Sequence, residues 1–269
     1  MFKNGQIMLA DPFRFPDFDS DIYPQQVVSL RLMGGDRETE TPLHQHYKSQ
    51  LVMPLSGFVK CNIADAIWMV PPHCAVWIPS QVRHSNLVSK EANVCMLFID
   101  PEVAGLPTKI CTLSISPLLR ELIVHLTSQE QTYQAGSTTD NLVNVLLDQL
   151  RVMPTEQFNF PIPSEPRLKA IAMCLLSQPA ERQTVREWAS QFAMSERTLS
   201  RLVKQHVGLS FGRWRGQLHL VLALQWLTCG ESVQRIAEDL GYESVGAFIN
   251  FFKHALGQPP KQYMKQRDY

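Results

Sequence analysis

The sequence predicts an α+β multidomain protein with a β-rich N-terminal part and an all-helical C-terminal part. Between residues 24 and 101, short apolar segments rich in β-branched and aromatic residues recur at regular spacing, which is typical of antiparallel sheets. From residue 116 onward, the apolar residues follow the helical period instead. Four prolines in residues 154–166 forbid a helix and favour an extended connector. We therefore expect a first domain over residues 1–153, a linker over 154–166 and a second domain over 167–269.

The predicted strands of the first domain are separated by Gly, Pro and Asn, which break β-structure. They are Val27–Met33, Ser49–Pro54, Phe58–Asn62, Ile67–Val70, Ala75–Ile78, Asn86–Val88 and Val94–Ile99. Their spacing favours an antiparallel sandwich or barrel. Two helices with wide apolar stripes follow, over residues 116–128 and 139–153. These stripes either cover the chain's own sheets or pair with the same helices of a second copy, as in a homodimer, and the sequence leaves both interpretations open.

Charge is divided between the two parts of the chain. Overall, 25 Lys and Arg balance 25 Asp and Glu. Residues 167–269, however, hold 14 basic against 8 acidic side chains, a net +6, whereas residues 1–166 hold 11 against 17, a net −6. We therefore expect only the C-terminal part to meet a polyanion such as nucleic acid.

The sequence argues against secretion, membrane insertion and a cysteine-based metal centre. The first residues lack the charged and apolar runs of a signal peptide, and the longest apolar patch, residues 218–227, is too short to span a bilayer. The six cysteines include no C-x-x-C pair, so we expect them to be reduced core residues. These features predict a cytoplasmic protein without membrane contact.

The second domain contains an internal repeat of two related units. Each unit has a short helix, a tight turn with a small residue, an N-cap serine and a second amphipathic helix, which is the helix-turn-helix plan. The copies begin at Val185 and Val233, on either side of a long predicted helix. The predicted helices are Arg167–Leu176, Val185–Phe192, Ser195–His206, Phe211–Thr228, Val233–Leu240, Ser244–Ala255 and Pro260–Gln266. The long helix measures about 27 Å, so it can place two recognition helices in successive major grooves. Arg213 and Arg215, near its start, are candidates for phosphate contact.

The second helix of the first unit has one apolar face and one basic face. Leu199, Leu202 and Val203 fall on the apolar face. The opposite face carries the candidate DNA-contacting residues Arg197, Ser200, Arg201 and Lys204. In the major groove Arg binds guanine bidentately, while Ser and Lys reach bases or phosphates. Because a basic face is also ordinary for solvated helices, the neighbouring sequence has to decide.

The second unit carries the more diagnostic residues. They are Ile236-Ala237-Glu238-Asp239-Leu240-Gly241-Tyr242-Glu243-Ser244, then Phe248-Ile249-Asn250-Phe251-Phe252-Lys253 and Gly257-Gln258-Pro259-Pro260-Lys261-Gln262-Tyr263. These runs resemble the signature of the AraC/XylS family of bacterial transcription regulators, whose DNA-binding domain has two helix-turn-helix units joined by a long helix. The resemblance covers about residues 167–267. It implies double-stranded DNA as the partner, with the clearest base contacts made by the first recognition helix.

The second recognition helix departs from the family pattern. Asn250 stands where the family usually has Arg, and Gly246 and Ile249 are poor hydrogen-bonding residues. We therefore expect Ser244, Asn250 and Lys253 mainly to hold backbone phosphates, with weaker recognition of sequence.

A second set of residues, in the first domain, forms a candidate ligand site. The residues that carry its motif are His44, Gln45, His46, Gln50 and Gly57, then Pro79, His84 and Asn86. They resemble the two motifs of cupins, which converge inside a small β-barrel as three His and one Glu around a metal. The resemblance implies an N-terminal cupin-like β-barrel whose candidate effector or metal ligands are His44, His46, Gln50 and His84.

Two substitutions set this site apart from the cupin pattern. Gln50 replaces the anionic Glu, which removes a charge that holds a divalent ion, and Gln81 replaces a Gly of the second motif. Three interpretations remain open: a divalent transition metal with Gln50 as a weak fourth ligand, a metal-free pocket for a small-molecule effector, and a cluster that only fills the barrel. Candidates for an apolar pocket wall, or for plain core, are Trp68, Trp77, Met53 and Phe98.

These features predict a ligand-responsive transcription regulator, with no catalytic residues. In this hypothesis residues 1–153 form the cupin-like domain, which includes two helices, binds the effector and dimerises. Residues 167–269 form an all-α domain that binds a promoter or operator. The alternative is a metal-dependent cupin enzyme, an isomerase or dioxygenase with a helical appendage. The three histidines favour that alternative, whereas Gln50 and the duplicated helix-turn-helix oppose it.

Overall fold

The chain divides into two compact units in the computed structural model, which describes residues 6–8, 18–63, 66–70, 74–156 and 158–265. Met1–Ala64 and Met69–Gln157 form the first unit, and Asp65–Trp68 with Phe158–Asp268 form the second. Of residues 6–8 and 156, the structure describes the backbone alone.

Two β-sheets form the framework of the first unit. The strands of the first sheet are, in spatial order, β1 (Gln6–Met8), β2 (Val27–Met33), β9 (Asn93–Ile99), β4 (Ser49–Ser56), β7 (Cys74–Ile78), β10 (Cys111–Ser114) and β11 (Thr155–Glu156). The second sheet contains β3 (Thr39–Glu40), β8 (His84–Val88), β5 (Val59–Ile63) and β6 (Ala66–Val70) in that order. The pairs β2–β9, β4–β9, β4–β7, β7–β10, β3–β8 and β5–β8 are antiparallel, whereas β1 and β2 pair in parallel.

The described strands make a sandwich of two separate sheets, and the closed barrel predicted from the cupin motifs is not seen among them. The physical reason is that the edge strands of the first sheet, β1 and β11, pair with no strand of the second sheet. The prediction of a β-rich first part followed by a helical part is confirmed.

Alternation of side chains along β4 and β9 gives the first sheet two different faces. Leu51 and Leu97 are directly paired, point to one side and belong to the main apolar core of the unit. Gln50 and Phe98 form the next pair along the same two strands, point to the opposite side and line a cavity. The same two strands therefore supply both the core and one wall of the cavity.

Two helices cover the core face of this sheet. They are α1 (Pro117–Leu126) and α2 (Thr138–Arg151), and their apolar stripes are buried in the same cluster as Leu51. This arrangement agrees with the interpretation that the stripes bury against the chain's own sheet. Leu118 and Val145, on these helices, remain 56% and 44% exposed.

The expectation that all cysteines are core residues is wrong for Cys229, which is exposed because it lies just after the last turn of a helix. Cys174 is half-buried and packs against the core of the helical unit. The buried cysteines are Cys61, Cys74, Cys95 and Cys111.

The second unit is helical apart from one pair of short strand segments. One segment, β12 (Asn159–Pro161), pairs antiparallel with the other, Ala66–Trp68. The helices are α3 (Pro166–Ser177), α4 (Val185–Gln191), α5 (Glu196–Val207), α6 (Phe211–Thr228), α7 (Val233–Asp239), α8 (Val245–Leu256) and α9 (Pro260–Lys265). Each lies within one residue of its predicted bounds, except that Gln266, the last residue of the final predicted helix, lies outside the described residues.

Part of the proline-rich stretch is built into the helical unit. Phe160 is fully buried and stacks on Trp214 of α6, with ring centroids 5.6 Å apart. The indole N–H of Trp214 donates to the carbonyl oxygen of Pro161 at 2.9 Å. The extended conformation expected from the prolines is therefore used as a strand that anchors α6.

Helix boundaries in this unit follow from capping residues. At the start of five helices, the side chain of the N-cap residue accepts a backbone N–H from the first turn. These N-cap residues are Thr184, Ser195, Ser210, Ser232 and Ser244. The second helices of the two copies, α5 and α8, both end at a glycine in the left-handed region, Gly208 with φ 79° and Gly257 with φ 77°. Two units with the same start and stop signals therefore adopt the same local plan.

The two faces of α5 are expected to differ sharply in stability experiments. Leu199 is fully buried, so Leu199→Ala should lower the free energy of unfolding of the full chain by about 2–5 kcal/mol through lost burial and a cavity. Arg197 is exposed, so Arg197→Ala should change that free energy by less than about 0.5 kcal/mol. Denaturant titration of both variants checks this prediction, and equal losses would contradict the assignment of faces.

Candidate recognition helices and ligand pocket

The basic face of α5 is open to solvent. Arg197, Ser200 and Arg201 are exposed, and Ser195 fixes the start of the helix by accepting the Thr198 N–H at 3.1 Å. Within the described part of the chain, neither guanidinium forms an ion pair or hydrogen bond, so both are available to a ligand. A major groove admits a helix whose exposed face carries such donors.

Lys204 has a role within the protein. Its Nζ donates to the carbonyl oxygen of Gly208 at 2.9 Å, which caps the C-terminus of α5. It lies beside a surface groove that also contacts Ser200 and Arg213. Arg213 is exposed at the start of α6, so the structure places it next to the predicted recognition face.

The exposed face of α8 is poorer in polar groups. Ser244 is the N-cap, and its Oγ accepts the Ala247 N–H at 3.1 Å. Asn250 and Lys253 are exposed one turn apart, whereas Gly246 offers no side chain. The three predicted phosphate-contacting residues therefore lie at the start, middle and end of one helix.

Arg215 differs from Arg213 although the two are close in sequence. It is half-buried, and its guanidinium donates to the carbonyl oxygen of Gln183 at 3.2 Å. The structure therefore gives Arg215 a contact inside the helical unit, and the predicted phosphate contact applies better to Arg213.

A cavity of about 290 Å³ lies against the second face of the first sheet. Its apolar wall comes from alternate residues of β2 and β9, namely Leu30, Leu32, Met96 and Phe98. Its polar lining comprises Asp19, Ser20, Thr41, His44, Gln45, His46, Gln50 and Asn86. An apolar wall with a few convergent polar groups is the usual composition of a small-molecule site.

Three histidines form a cluster at the polar end of this cavity, where His44 and His46 line it and the fully buried His84 packs against both. His44 and His84 are joined by backbone hydrogen bonds in both directions, of 3.0 and 2.9 Å, which brings their ring centroids to 4.3 Å. The ring of His46 lies 5.1 Å from that of His84. One potential ligand nitrogen from each of the three lies within 4.8 Å of the others. The structure thus brings together the three histidines singled out by sequence.

Each histidine is held in place by a backbone carbonyl. The Nδ1 atom of His44 lies 2.8 Å from the carbonyl oxygen of Pro42, and that of His84 lies 2.9 Å from the carbonyl oxygen of Val82. The Nδ1 atom of His46 contacts the carbonyl oxygen of Lys48. Because a carbonyl oxygen only accepts, each Nδ1 carries the ring proton, and each Nε2 is unprotonated and free to accept a hydrogen bond or bind a metal. Such second contacts typically orient metal-binding histidines.

Buried acceptors without donors accumulate in this region. Among the described residues, His46 Nε2, His84 Nε2, Gln50 Oε1 and Asn86 Oδ1 have no hydrogen-bond partner. Burial lowers the pKa of His84 to about 4 and also lowers the pKa of His46, so both rings are neutral at pH 7 and their Nε2 atoms are acceptors. An occupant that is electropositive, or rich in donors, would satisfy this set.

The predicted apolar wall is only partly correct. Phe98 lines the cavity, but Trp77 and Met53 lie on the opposite face of the first sheet, in the core with α1 and α2. Trp68 is buried in the second unit. Sequence alternation shows that a strand has two faces but does not say which one meets the cavity.

A segment that sequence reasoning missed also lines the cavity. Phe18 packs on Phe98 with ring centroids 5.4 Å apart, and a short 3-10 helix, Ser20–Ile22, follows it. The carboxylate of Asp21 accepts the backbone N–H groups of Tyr47 and Lys48 at 2.6 and 3.2 Å. Asp21 thereby ties this segment to the loop that bears His44 and His46; no motif marks this contact.

Comparison with known proteins identifies the family. Residues 188–266 match the family described as a helix-turn-helix domain. Over 247 residues the chain is 43% identical to the HTH-type transcriptional regulator NimR of Escherichia coli K12, an alignment that covers 92% of this chain and 90% of NimR. The chain belongs to the AraC/XylS family of transcription regulators.

Further similarities of this AraC/XylS regulator cover less of it or are more distant. The HTH-type transcriptional activator RhaS of Escherichia fergusonii is 33% identical over 106 residues, which is 39% of this chain and 38% of RhaS. The solved structure of ToxT from Vibrio cholerae aligns with 91% of this chain and 99% of its own at 11% identity and a TM-score of 0.38.

The AraC/XylS protein is a DNA-binding transcription regulator and not an enzyme, which confirms the prediction of a transcription regulator over the cupin-enzyme alternative. Its macromolecular partner is DNA. Within the described part of the chain, every helix falls short of the length and apolarity that a bilayer crossing requires.

One buried histidine of the AraC/XylS regulator lies away from both sites. His219, on α6, is 8% exposed, and its two ring nitrogens each lie 3.1 Å from a partner, Tyr242 Oη and the Pro179 carbonyl oxygen. Burial, together with the positive charge of Arg215, lowers the pKa of His219 to about 4. The folded protein therefore holds a neutral imidazole here at pH 7.

This depressed pKa predicts a loss of stability in acid. Below pH 6.5 the unfolded chain protonates His219, while the folded chain does so only near pH 4, so stability falls as pH drops through this window. Relative to His219→Gln, the parent should lose on the order of 3 kcal/mol between pH 6.5 and 4, at about 1.4 kcal/mol per pKa unit. Denaturant titrations from pH 8 to 4 measure the difference; a difference that stays constant over this range would contradict the buried neutral state.

Proposed function

We propose that the regulator recognises a promoter or operator sequence with α5 and holds the DNA backbone with α8. The observation that carries this proposal is the pair of exposed guanidinium groups on α5, Arg197 and Arg201, which have no partner among the described residues. Ser200 lies between them, and Lys204 extends the same face. The exposed polar residues of α8 and its N-cap include Ser244, Asn250 and Lys253, which suit phosphate contacts better than bidentate base contacts.

The two kinds of contact are expected to respond differently to substitution. Arg201→Ala should weaken binding to a duplex selected by the parent protein by about 5- to 150-fold, and should relax preference at one base pair. Lys253→Ala should weaken binding to all sequences about equally and should lower the salt dependence by about one counterion. Fluorescence anisotropy titrations with single-base variants of the duplex measure both effects.

Arg83→Ala supplies the control for these titrations. Arg83 is an exposed arginine of the first unit, so its replacement removes one positive charge without touching either recognition helix. Its affinity should equal that of the parent. If Arg201→Ala bound as tightly as Arg83→Ala, the assignment of the recognition face would be wrong.

We further propose that the cavity of the first unit is the effector site, with a divalent transition metal at its polar end. The imidazoles of His44, His46 and His84 suit such an ion because neutral nitrogen ligands bind zinc, copper, nickel or iron. The Nδ1 contacts described above leave Nε2 as the ligand atom, and Gln50 Oε1 is a weak fourth ligand. A bound ion would supply a Lewis-acidic anchor for a polar group of the effector, whose apolar part would rest on Leu30 and Phe98.

Metal analysis tests this part of the proposal. Chelator-treated parent protein should take up about one Co²⁺ or Zn²⁺ per chain, with the visible absorption of nitrogen-coordinated Co²⁺. His46→Gln and His84→Gln should each lower the affinity at least about tenfold. His125→Gln, which replaces an exposed histidine of α1, should bind the ion like the parent. Absence of stoichiometric uptake by the parent would reject the metal and leave a metal-free effector pocket.

We propose that residues 1–153 form the effector-binding and dimerisation domain, residues 154–166 the linker, and residues 167–269 the DNA-binding domain. A second copy would cover the apolar side chains that α1 and α2 leave exposed, Leu118 and Val145. Effector binding would then alter affinity for paired half-sites by changing linker or dimer geometry. The cytoplasm is the expected location of such a regulator.

A further inference from the structure

A chain of hydrogen bonds crosses the centre of the helical unit. The carbonyl oxygen of Pro179 can only accept, so the Nε2 of His219, 3.1 Å away, carries the proton and donates to it. A neutral imidazole has one N–H, so Nδ1 accepts from the hydroxyl of Tyr242 at 3.1 Å. The direction of both bonds is therefore fixed, from Tyr242 through His219 to Pro179.

This chain connects three separate parts of the unit. Pro179 lies between α3 and α4, immediately before the first helix-turn-helix. His219 lies in the middle of α6, the helix between the two copies. Tyr242 lies in the turn of the second helix-turn-helix, between α7 and α8. The hydrogen bonds thus join the entry to the first copy with the turn of the second.

A close backbone approach reinforces the same connection. Gly241 has φ 74°, and a Cβ added there would lie 2.4 Å from the carbonyl oxygen of Ala180. The loop before α4 therefore packs directly on the turn before α8, and only glycine fits at this position. The guanidinium of Arg215 holds the far end of the loop through its bond to the Gln183 carbonyl.

Aromatic packing attaches the second copy to the same point on α6. The ring of Tyr242 lies 5.4 Å from that of His219 and 5.5 Å from that of Phe248, which is fully buried in α8. Phe251, also on α8, lies 5.6 Å from Tyr242 and contacts the Gly216 position of α6. The orientation of α8 is thereby coupled to the ring that donates to His219.

We infer that the bonds from Tyr242 through His219 to Pro179 act as a joint that fixes the orientation of α8 relative to α5, and so sets the spacing in base pairs that the regulator accepts between its two DNA contacts. This inference rests on the proposal that both helices contact DNA. Two linked contacts bind as one only at a spacing that the linkage permits, and a stiffer linkage favours the correct spacing while penalising others. Tyr242 and His219 are positioning residues in this account and do not touch DNA.

The test uses DNA spacing as its readout. A duplex selected by the parent from a random library is footprinted to locate the two contacts. Derivatives then carry one or two base pairs inserted or removed between these contacts. The spacing ratio is the dissociation constant for a shifted duplex divided by that for the selected duplex. A purely stabilising role of the joint leaves this ratio unchanged, whereas a positioning role alters it.

Tyr242→Phe is the main variant because it removes only the hydroxyl group. We expect its spacing ratio to fall by at least about threefold relative to the parent, with weaker binding to the selected duplex. His219→Gln retains an N–H for the Pro179 carbonyl, so its spacing ratio should lie between those of the parent and Tyr242→Phe. It also provides the same test if Tyr242→Phe folds poorly. Tyr133→Phe is the matched control, since the Tyr133 hydroxyl bonds the backbone of Val27 in the first unit; its ratio should equal that of the parent.

The outcomes separate this inference from the function on which it rests. A parent that binds all spacings equally would show that α8 does not make a second DNA contact, which overturns the proposed function. If the parent discriminates between spacings, but Tyr242→Phe and His219→Gln show the same spacing ratio as the parent, the joint is overturned and the proposed function stays intact. A lower ratio in both variants, with Tyr133→Phe unchanged, supports the joint.

Discussion

Burial of α6 on several sides is the constraint on which the helical unit depends. Its buried residues include Trp214, His219 and Leu224, which are spread around the helix axis at 3.6 residues per turn and do not fall on one narrow stripe. A helix of this kind is stable only when other elements cover it on each side. The strand at Phe160 covers one side through Trp214, and Tyr242 and Phe251 approach another. The two helix-turn-helix copies can therefore share one scaffold without packing into a single bundle.

A different constraint governs the first unit, where one sheet must serve a core and a cavity. Period-two alternation sends Leu51 and Leu97 toward α1 and α2, and Gln50 and Phe98 toward the cavity. The core face is mainly apolar, and a polar side chain there has a partner: the hydroxyl of Ser29, which pairs with Leu97, donates to the Leu126 carbonyl oxygen. The cavity face instead concentrates acceptors, because the three histidines donate through Nδ1 to the backbone and the Nε2 atoms of His46 and His84 are buried without a donor. This imbalance of acceptors over donors is what gives the cavity a chemical preference.

Sequence patterns predicted the helices well and the β-sheets less well. The bounds of α6 were predicted without error because the N-cap Ser210 and a long apolar pattern mark them locally. Strands β10 and β12 were missed because they have only four and three residues and are stabilised by partners distant in sequence. The motif spacing correctly placed His44, His46 and His84 together, but the contribution of Phe18 and Asp21 comes from tertiary contacts that no local pattern encodes. Arg213 and Arg215 likewise differ through tertiary contacts, since Arg215 is half-buried and bonds the Gln183 carbonyl, which lies far from it in sequence.

The contrast between α5 and α8 gives the joint its physical purpose. A helix with few polar groups, such as α8 with Gly246 and Ala247 at its exposed start, gains little from direct base contacts. It adds to affinity chiefly by reaching phosphates at a distance and angle set by the rest of the protein. That contribution depends on orientation more than on the identity of its side chains, because a misplaced helix loses all of its phosphate contacts together. The rigid elements around Tyr242 are therefore as important to α8 as the exposed arginines are to α5.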